Sequence, residues 1–419
     1  MVTTNTPISI AAVFGTRPEA VKLLPVIRTL RHDDRFRLLV AVTGQHRQML
    51  DEILRPFEIV PDVDLDIMQP NQSLNDIVCR AMPRLDALYA RERPDIVLVQ
   101  GDTTSAFCAA LAAFDRRVTV GHVEAGLRSF DRLHPYPEES NRRMLSAVAD
   151  LHFAPTGWAA QNLLAEGVPR NRITVTGNTV VDALLLTLRE QHGAATDGLD
   201  GEHERRTVLV TLHRREAWET PSANGGESVL DDILSGIRQA AERHPDVDFM
   251  YPVHLNPKVQ MAAKRVLGRS SNVKLTHPLP YIEFVGAMAN ATAIVSDSGG
   301  VQEEAPSLGV PVLVLRRTTE RPEAVQAGVN QLVGTDPKDI ERALSALLDG
   351  AGASRHGSIP QPNPFGDGRG AERILQALLY FFGRADAPEE FAAIEQVRRP
   401  TRWPPPRRRR AFERYDDRP

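Results

Sequence analysis

The chain lacks most of what several common kinds of protein are built from. Its 419 residues include only two cysteines, Cys79 and Cys108, neither in a CxxC or CxxH spacing, which argues against a disulfide framework or a zinc site. There is no surplus of charge of one sign. With 50 Lys and Arg against 54 Asp and Glu, the net charge is −4, so no global electrostatic case exists for nucleic acid or a membrane surface. Long hydrophobic runs are missing too. The opening MVTTNTPISIAAVFG has no basic segment, and its apolar stretch is too short for a secretion signal or a membrane span. A soluble protein of a reducing, cytoplasmic compartment is therefore the expectation. The GxGxxG, GxxxxGK[ST] and HExxH patterns are absent and no internal repeat is visible, so nothing in the sequence asks for NAD, ATP or a metal.

What is present is a series of short Val-, Ile- and Leu-rich runs separated by helical patterns. ISIAAVF, RLLVAVT, DIVLVQ, RVTVGHV and LHFAP fill the first half; TVLVTL, VDFMYPV, NVKLT, AIVSD and VLVL fill the second. Uninterrupted apolar strands alternating with helices are the mark of parallel sheets covered on both faces. The length suits two domains. The first series ends near Gly177 and Asn178, so we expect two Rossmann-like, doubly wound α/β domains, residues 1–177 and 178–367. Ligands of such sheets bind at the carboxyl ends of the strands, which makes the interdomain cleft the expected site. An amphipathic helix is predicted over about 368–384, followed by a Pro- and Arg-rich tail, 385–419, with few apolar residues to bury and an expectation of disorder.

Polar clusters recur where these strands should end. GTRPEAVKLLP follows the first strand, with Gly15 for a tight turn, Pro18 for a helix start, and Arg17 and Lys22 near a helix N-terminus that attracts anions. Asp102 follows DIVLVQ, and Glu124 follows RVTVGHV. Each alone could be a cap or a solvated loop residue. Three successive strand ends aimed at one rim favour a functional reading. Beyond Glu124, the stretch HVEAGLRSFDRLHPYPEESNRRM adds Glu138 and Arg142, with His122 just before it. In the second half, His213, Arg214 and Arg215 end one strand and His254 another. In SDSGGVQEEAP, Ser298, Gly299 and Gly300 open a helix whose N–H groups can hold a phosphate, with Glu304 within reach of a ribose diol.

Together GTRPEAVKLLPV, QGDTTSAFCAALAAF, GHVEAGLRSFDRLHPYPEESNRRM, VTLHRRE, YPVHLNP, SDSGGVQEEAPSLGVPVLVLRRTTERPEAV and NPFGDGRGAERI resemble the non-hydrolysing UDP-N-acetylglucosamine 2-epimerases of bacteria, over about 8–382 with order and spacing intact. The resemblance implies a GT-B-like pair of domains, with the last helix crossing back onto the first. It also implies a cytoplasmic homodimer without cofactor, interconverting UDP-GlcNAc and UDP-ManNAc for cell-envelope polysaccharide. By the same resemblance Asp102, Glu124 and Glu138 move protons, and His213 assists the leaving diphosphate. Arg17, Lys22, Phe284, Ser298, Gly299, Gly300, Glu304 and Arg321 hold UDP. His122 and Arg142 would support the carboxylates through hydrogen bonds and charge. Gln45, Gln48 and His254 match positions that contact a second, activating UDP-GlcNAc; Asn71 stands where an arginine often completes that contact, so weak activation is expected. Alternative readings are a 2-epimerase of a modified UDP-GlcNAc, a GT-B glycosyltransferase, a hydrolysing epimerase, or a sugar-nucleotide sensor.

Overall fold

The computed structural model describes residues 6–44, 50, 53–69, 72–194, 205–222, 224–316, 319–350 and 363–392. The first half alternates β1 (Ile8–Phe14), α1 (Arg17–Arg31), β2 (Phe36–Val42), β3 (Val63–Asp64), α2 (Leu74–Glu92), β4 (Ile96–Gln100), α3 (Thr104–Asp115), β5 (Thr119–Val123), α4 (Glu138–Val148), β6 (Leu151–Ala154), α5 (Gly157–Ala165) and β7 (Ile173–Val175). These strands form one parallel sheet in the order β3-β2-β1-β4-β5-β6-β7. After α6 (Thr179–Ala194), the second half runs β8 (Thr207–Thr211), α7 (Arg215–Glu219), α8 (Val229–Arg243), β9 (Asp248–Pro252), α9 (Pro257–Leu267), β10 (Val273–Thr276) and α10 (Tyr281–Ala289). It continues with β11 (Ala293–Ser296), α11 (Gly299–Glu304), β12 (Val312–Val314), α12 (Pro322–Gln326), β13 (Asn330–Leu332) and α13 (Pro337–Gly350). Its sheet is also parallel, ordered β10-β9-β8-β11-β12-β13. In each sheet the chain winds outward and then returns past its first strand, leaving a crevice between β1 and β4 and another between β8 and β11. Both Rossmann-like halves thus carry the switch point at which open α/β sheets bind ligands.

The strands the sequence hid are β3, β7 and β13. Each is two or three residues long and lies at or beside a sheet edge, where one side meets solvent and no continuous apolar run is needed. Central strands such as β4 are buried along their whole length.

Helix α6 is the element common to both halves. It packs on α1, on α10 and α11 of the second half, and on the terminal helix α14 (Gly370–Phe381). That last helix lies against α1, with Ile374, Leu375, Leu378 and Leu379 buried at the helical spacing of an apolar face. The two halves therefore meet through a continuous core that includes Leu184 of α6, Val285 of α10 and Leu378 of α14.

The first residues of the expected tail, 385–392, are among those described, and Glu390 and Phe391 dock on the first half. Phe391 donates its backbone N–H to the Val175 carbonyl at 2.8 Å, and Glu390 accepts from Val175 N at 3.1 Å and pairs with Arg170 at 2.5 Å. The Phe391 ring sits 5.6 Å beneath the Arg373 guanidinium. One aromatic and one carboxylate suffice to dock a segment whose composition reads as disordered, by covering β7. Residues 393–419, including the run Arg407 to Arg410, lie outside the described residues, as does most of the linker expected near residue 200. Phe391→Ala should destabilise the protein by about 1–2 kcal/mol, less than a fully buried Phe because the ring is partly exposed. Denaturant titration checks this. A chain ending at 392 should melt at a higher temperature than one ending at 385.

Candidate active site

The first-half site residues arise from three adjoining strand ends. At the end of β1, Gly15 turns the chain with no room for a side chain: a Cβ there would lie 2.1 Å from Thr43 Oγ1. Close approach, not a left-handed backbone, is what requires glycine. Glu19 then accepts the N–H groups of Gly15 at 3.0 Å and Thr16 at 2.7 Å, together with the Thr103 hydroxyl at 2.6 Å. This buried carboxylate, unnoticed in the sequence, ties the start of α1 to the start of α3. Arg17 is the first residue of α1 and acts electrostatically on Glu304 and Tyr281 across the cleft.

Glu124 follows β5 with φ +66°, a left-handed conformation unfavourable for a side chain with a Cβ. Its surroundings hold it there. Gln100, the last residue of β4, donates to Oε2; Lys22 pairs with Oε1; and Asn178 Nδ2 donates to Oε1 at 3.3 Å. Lys22 is thus placed otherwise than the sequence suggested. Its ammonium does not stand open to a diphosphate but lies between Glu124 and, at 3.4 Å, Glu303 of α11. Burial works against its charge, yet the two carboxylates outweigh that and hold it above its ordinary range.

Asp102, just past β4, accepts from Arg142 Nε at 3.0 Å and from a second nitrogen of the same guanidinium, while Asn141 Nδ2 donates to its carbonyl at 2.9 Å. Arg142 is fixed from the other side by the fully buried Glu139. Glu138 opens α4; burial pushes its carboxyl up, and the nearby Asp102 charge adds to that. His122 departs from expectation. It is completely buried with Nε2 2.7 Å from the Gly101 carbonyl, and burial pushes it down to about 4. A neutral imidazole there fixes the Gly101 turn before Asp102 and lends no charge.

The second half faces this rim with cations. His213 follows β8 with Nδ1 3.1 Å from Asp297 Oδ1, and Asp297 also accepts the backbone N–H of His213 at 3.1 Å and of Arg214 at 3.0 Å. Burial opposes the Asp297 charge, but these contacts outweigh it and hold the carboxyl below its ordinary range. Ser298 caps α11, accepting the Val301 N–H at 3.5 Å. Gly299 and Gly300 lie inside the first turn of that helix. A Cβ on Gly299 would sit 2.7 Å from the Arg321 guanidinium, so this glycine makes room for a buried arginine as well as baring its own N–H. Arg321 pairs with Glu303 at 2.6 Å and Glu320 at 2.9 Å. Arg316, at 2.9 Å, and Arg214, at 3.4 Å, also converge on Glu320. Burial alone would raise the Glu320 carboxyl; the three cations hold it far below its usual range.

Glu304 is buried, and the Tyr281 hydroxyl donates to its Oε1 at 3.0 Å. Phe284 lies one turn after Tyr281 on α10, partly buried against the shared core. His254 stacks on Trp218 with ring centroids 5.5 Å apart; burial pushes its imidazole down, and neighbouring His213 adds to that. Gln45, Gln48 and Asn71 lie outside the described residues. Sequence reading missed Glu19, Gln100, Asn178, Asp297, Glu303 and Glu320. The signal available for Gln100 and Asp297 was a polar residue closing an otherwise apolar strand.

The family described as "UDP-N-acetylglucosamine 2-epimerase" matches residues 28–379. A UDP-N-acetylglucosamine 2-epimerase of Bacillus subtilis is 47% identical over 385 residues, covering 92% of this chain and 98% of the relative. Among solved structures, a Neisseria meningitidis UDP-GlcNAc 2-epimerase bound to UDP-GlcNAc is 42% identical, with TM-score 0.80 over 89% of this chain and all of that one. A Staphylococcus aureus structure with UDP is 38% identical, with TM-score 0.81 over 92% of this chain and 100% of that chain.

Glu304 yields a prediction about stability. Burial pushes its carboxyl up to about 7 from an ordinary 4.5. Between those values the folded protein holds a proton that the unfolded chain releases, so this group's contribution to stability falls as pH rises through that window. Glu304→Gln keeps an acceptor for Tyr281 but removes the charge. Calorimetry should therefore find the ligand-free variant more stable than the wild type at pH 8, by about 3 kcal/mol at most, with the difference vanishing toward pH 4.5.

Proposed function

The chain belongs to the UDP-N-acetylglucosamine 2-epimerase family, of the non-hydrolysing type, and from that premise we propose how its residues divide the work. The reaction is the reversible interconversion of UDP-GlcNAc and UDP-ManNAc. No carbonyl adjoins C2 to acidify its hydrogen, so inversion proceeds by elimination. The C2 proton passes to a base, the C1–O electron pair leaves with UDP, and a C1–C2 double bond forms, giving 2-acetamidoglucal. Re-addition returns UDP oxygen to C1 and a proton to the opposite face of C2.

The observation that carries the assignment is the opposition of three carboxylates, two just past adjoining strands and one opening α4, to a set of cations on the other sheet. Asp102, Glu124 and Glu138 lie at the rim where a sugar held between the sheets would sit. Glu138, with its carboxyl pushed up, suits proton donation. Glu124 beside Lys22 and Asp102 beneath Arg142 suit acceptance. Departing UDP develops charge at its diphosphate. His213, drawn to Asp297, with Arg17, Arg321 and the N–H groups of Ser298, Gly299 and Gly300, forms the donor set for it. Glu304 takes the ribose hydroxyls and Phe284 flanks the uracil.

A homodimer in the cytoplasm belongs to the same reading. Cys79 and Cys108 are both free, and no described helix is long and apolar enough to cross a membrane. A second UDP-GlcNAc contact at His254, weakened by Asn71, is the regulatory part.

Asp102→Asn, Glu124→Gln and Glu138→Gln should each lower kcat by at least about a hundredfold while UDP binding, followed by calorimetry, persists. Near-normal turnover in all three would refute the assignment. In D₂O, NMR should show deuterium entering C2 of both epimers. Retention of the original hydrogen through many turnovers would exclude a solvent-exchanging base.

A further inference from the structure

Glu303 takes no part in the work assigned above, yet it is fully buried in the wall between the two halves. One of its oxygens accepts from Arg321 Nε at 2.6 Å. The other, Oε2, accepts no hydrogen bond among the described residues and has the Lys22 ammonium at 3.4 Å as its counter-charge. Lys22 in turn pairs with Glu124. The result is a line of alternating charge, Arg321, Glu303, Lys22 and Glu124, running from the cation set of one sheet to a proton-transfer carboxylate of the other. A buried carboxylate oxygen left without a hydrogen bond is costly, which makes this arrangement hard to explain by stability alone.

We propose that Glu303 is a positioning residue for proton transfer: by drawing on the Lys22 ammonium from across the cleft, it keeps the Lys22–Glu124 ion pair from quenching Glu124 as a base. Lys22 alone beside Glu124 would hold that carboxylate so firmly that it becomes a poor base. Shared between two carboxylates, the same cation secures the geometry and leaves Glu124 reactive. Arg321 makes the arrangement responsive to nucleotide. When a diphosphate occupies the Arg321 guanidinium, Glu303 is less strongly held there and competes harder for Lys22, so Glu124 becomes more basic when there is substrate to deprotonate.

Among the described residues, few groups face this line. Glu124 meets Lys22 from α1, Gln100 from β4, Asn178 from the start of α6, and the Arg321 charge from α12. Glu303 meets Lys22, Arg321, its neighbour Glu304, and Glu323, whose own carboxylate accepts the Thr156 hydroxyl of the first half at 2.6 Å. Removing Glu303 acts on Glu124 in one direction by two routes. Lys22 then belongs wholly to Glu124, and a repelling negative charge disappears. Both favour the ionised carboxylate and weaken it as a base.

The test is the pH dependence of kcat in Glu303→Gln and Glu303→Asp. In Glu303→Gln the acid limb should move to lower pH by at least about half a unit and the plateau should fall about tenfold or more, with UDP affinity within about threefold of wild type. Glu303→Asp withdraws the charge by one methylene, so its limb should move the same way by less; if the Gln variant does not fold, this shift alone decides. An unmoved limb, a shift to higher pH, or a loss confined to KM and UDP affinity would overturn the proposal in favour of a structural role in holding Arg321. The inference rests on Glu124 transferring a proton, so Glu124→Gln is measured alongside. Normal turnover there overturns that assignment, whereas an inactive Glu124→Gln with an unmoved limb in the Glu303 variants overturns only this one.

Discussion

The buried ammonium of Lys22 is the interaction on which the rest of the structure depends. A lysine out of water keeps its charge only if carboxylates stand beside it, and removing one partner of such a buried pair typically costs about 3–5 kcal/mol. Here one partner comes from each half of the molecule: Glu124 after β5 and Glu303 in α11. The requirement to neutralise one cation therefore brings the carboxyl ends of two sheets together. It does so beside other candidate site residues, Arg321 among them.

Parallel winding makes this economical in residues. Every strand of both sheets delivers its carboxyl end to the same side, so β1, β4 and β5 place Arg17, Asp102 and Glu124 side by side. In the second sheet, β8, β11 and β12 do the same for His213, Ser298 and the arginines around Glu320. The guanidinium groups of Arg214, Arg316 and Arg321 would repel one another, and Glu320 relieves that repulsion by pairing with all three. The left-handed backbone at Glu124 is the local cost of aiming a carboxylate back over its own strand, and Lys22, Gln100 and Asn178 hold it in place.

The crossover segments matter as much as the sheets. Asn178 donates its backbone N–H to the Phe365 carbonyl at 2.6 Å while its side chain reaches Glu124. Asn363, two residues before Phe365, donates to the Glu303 carbonyl at 2.8 Å. The chain returning to the first half thus touches the backbone on both sides of the Lys22 bridge. These hydrogen bonds add to the shared core in fixing the two halves, and the docking of Phe391 over β7 extends the same support outward.

The sequence by itself determined the fold class, the succession of central strands along the chain and the strand ends at which most of the candidate acidic residues lie. These rest on local properties: continuous apolar runs specify buried parallel strands, and the residue after such a run must lie at a strand's carboxyl end. Asp102, Glu124, His213 and Ser298 were legible for that reason. Only the tertiary structure decided which charge meets which. Lys22 stood 102 positions from Glu124 in the chain, and no periodicity links it to Glu303. That His122 is neutral, that Gly299 makes room for Arg321, and that Phe391 docks although its neighbours read as a tail depend likewise on burial by distant elements. The sign and strength of an electrostatic interaction follow from distance and from exclusion of water, and neither quantity exists until the chain has folded.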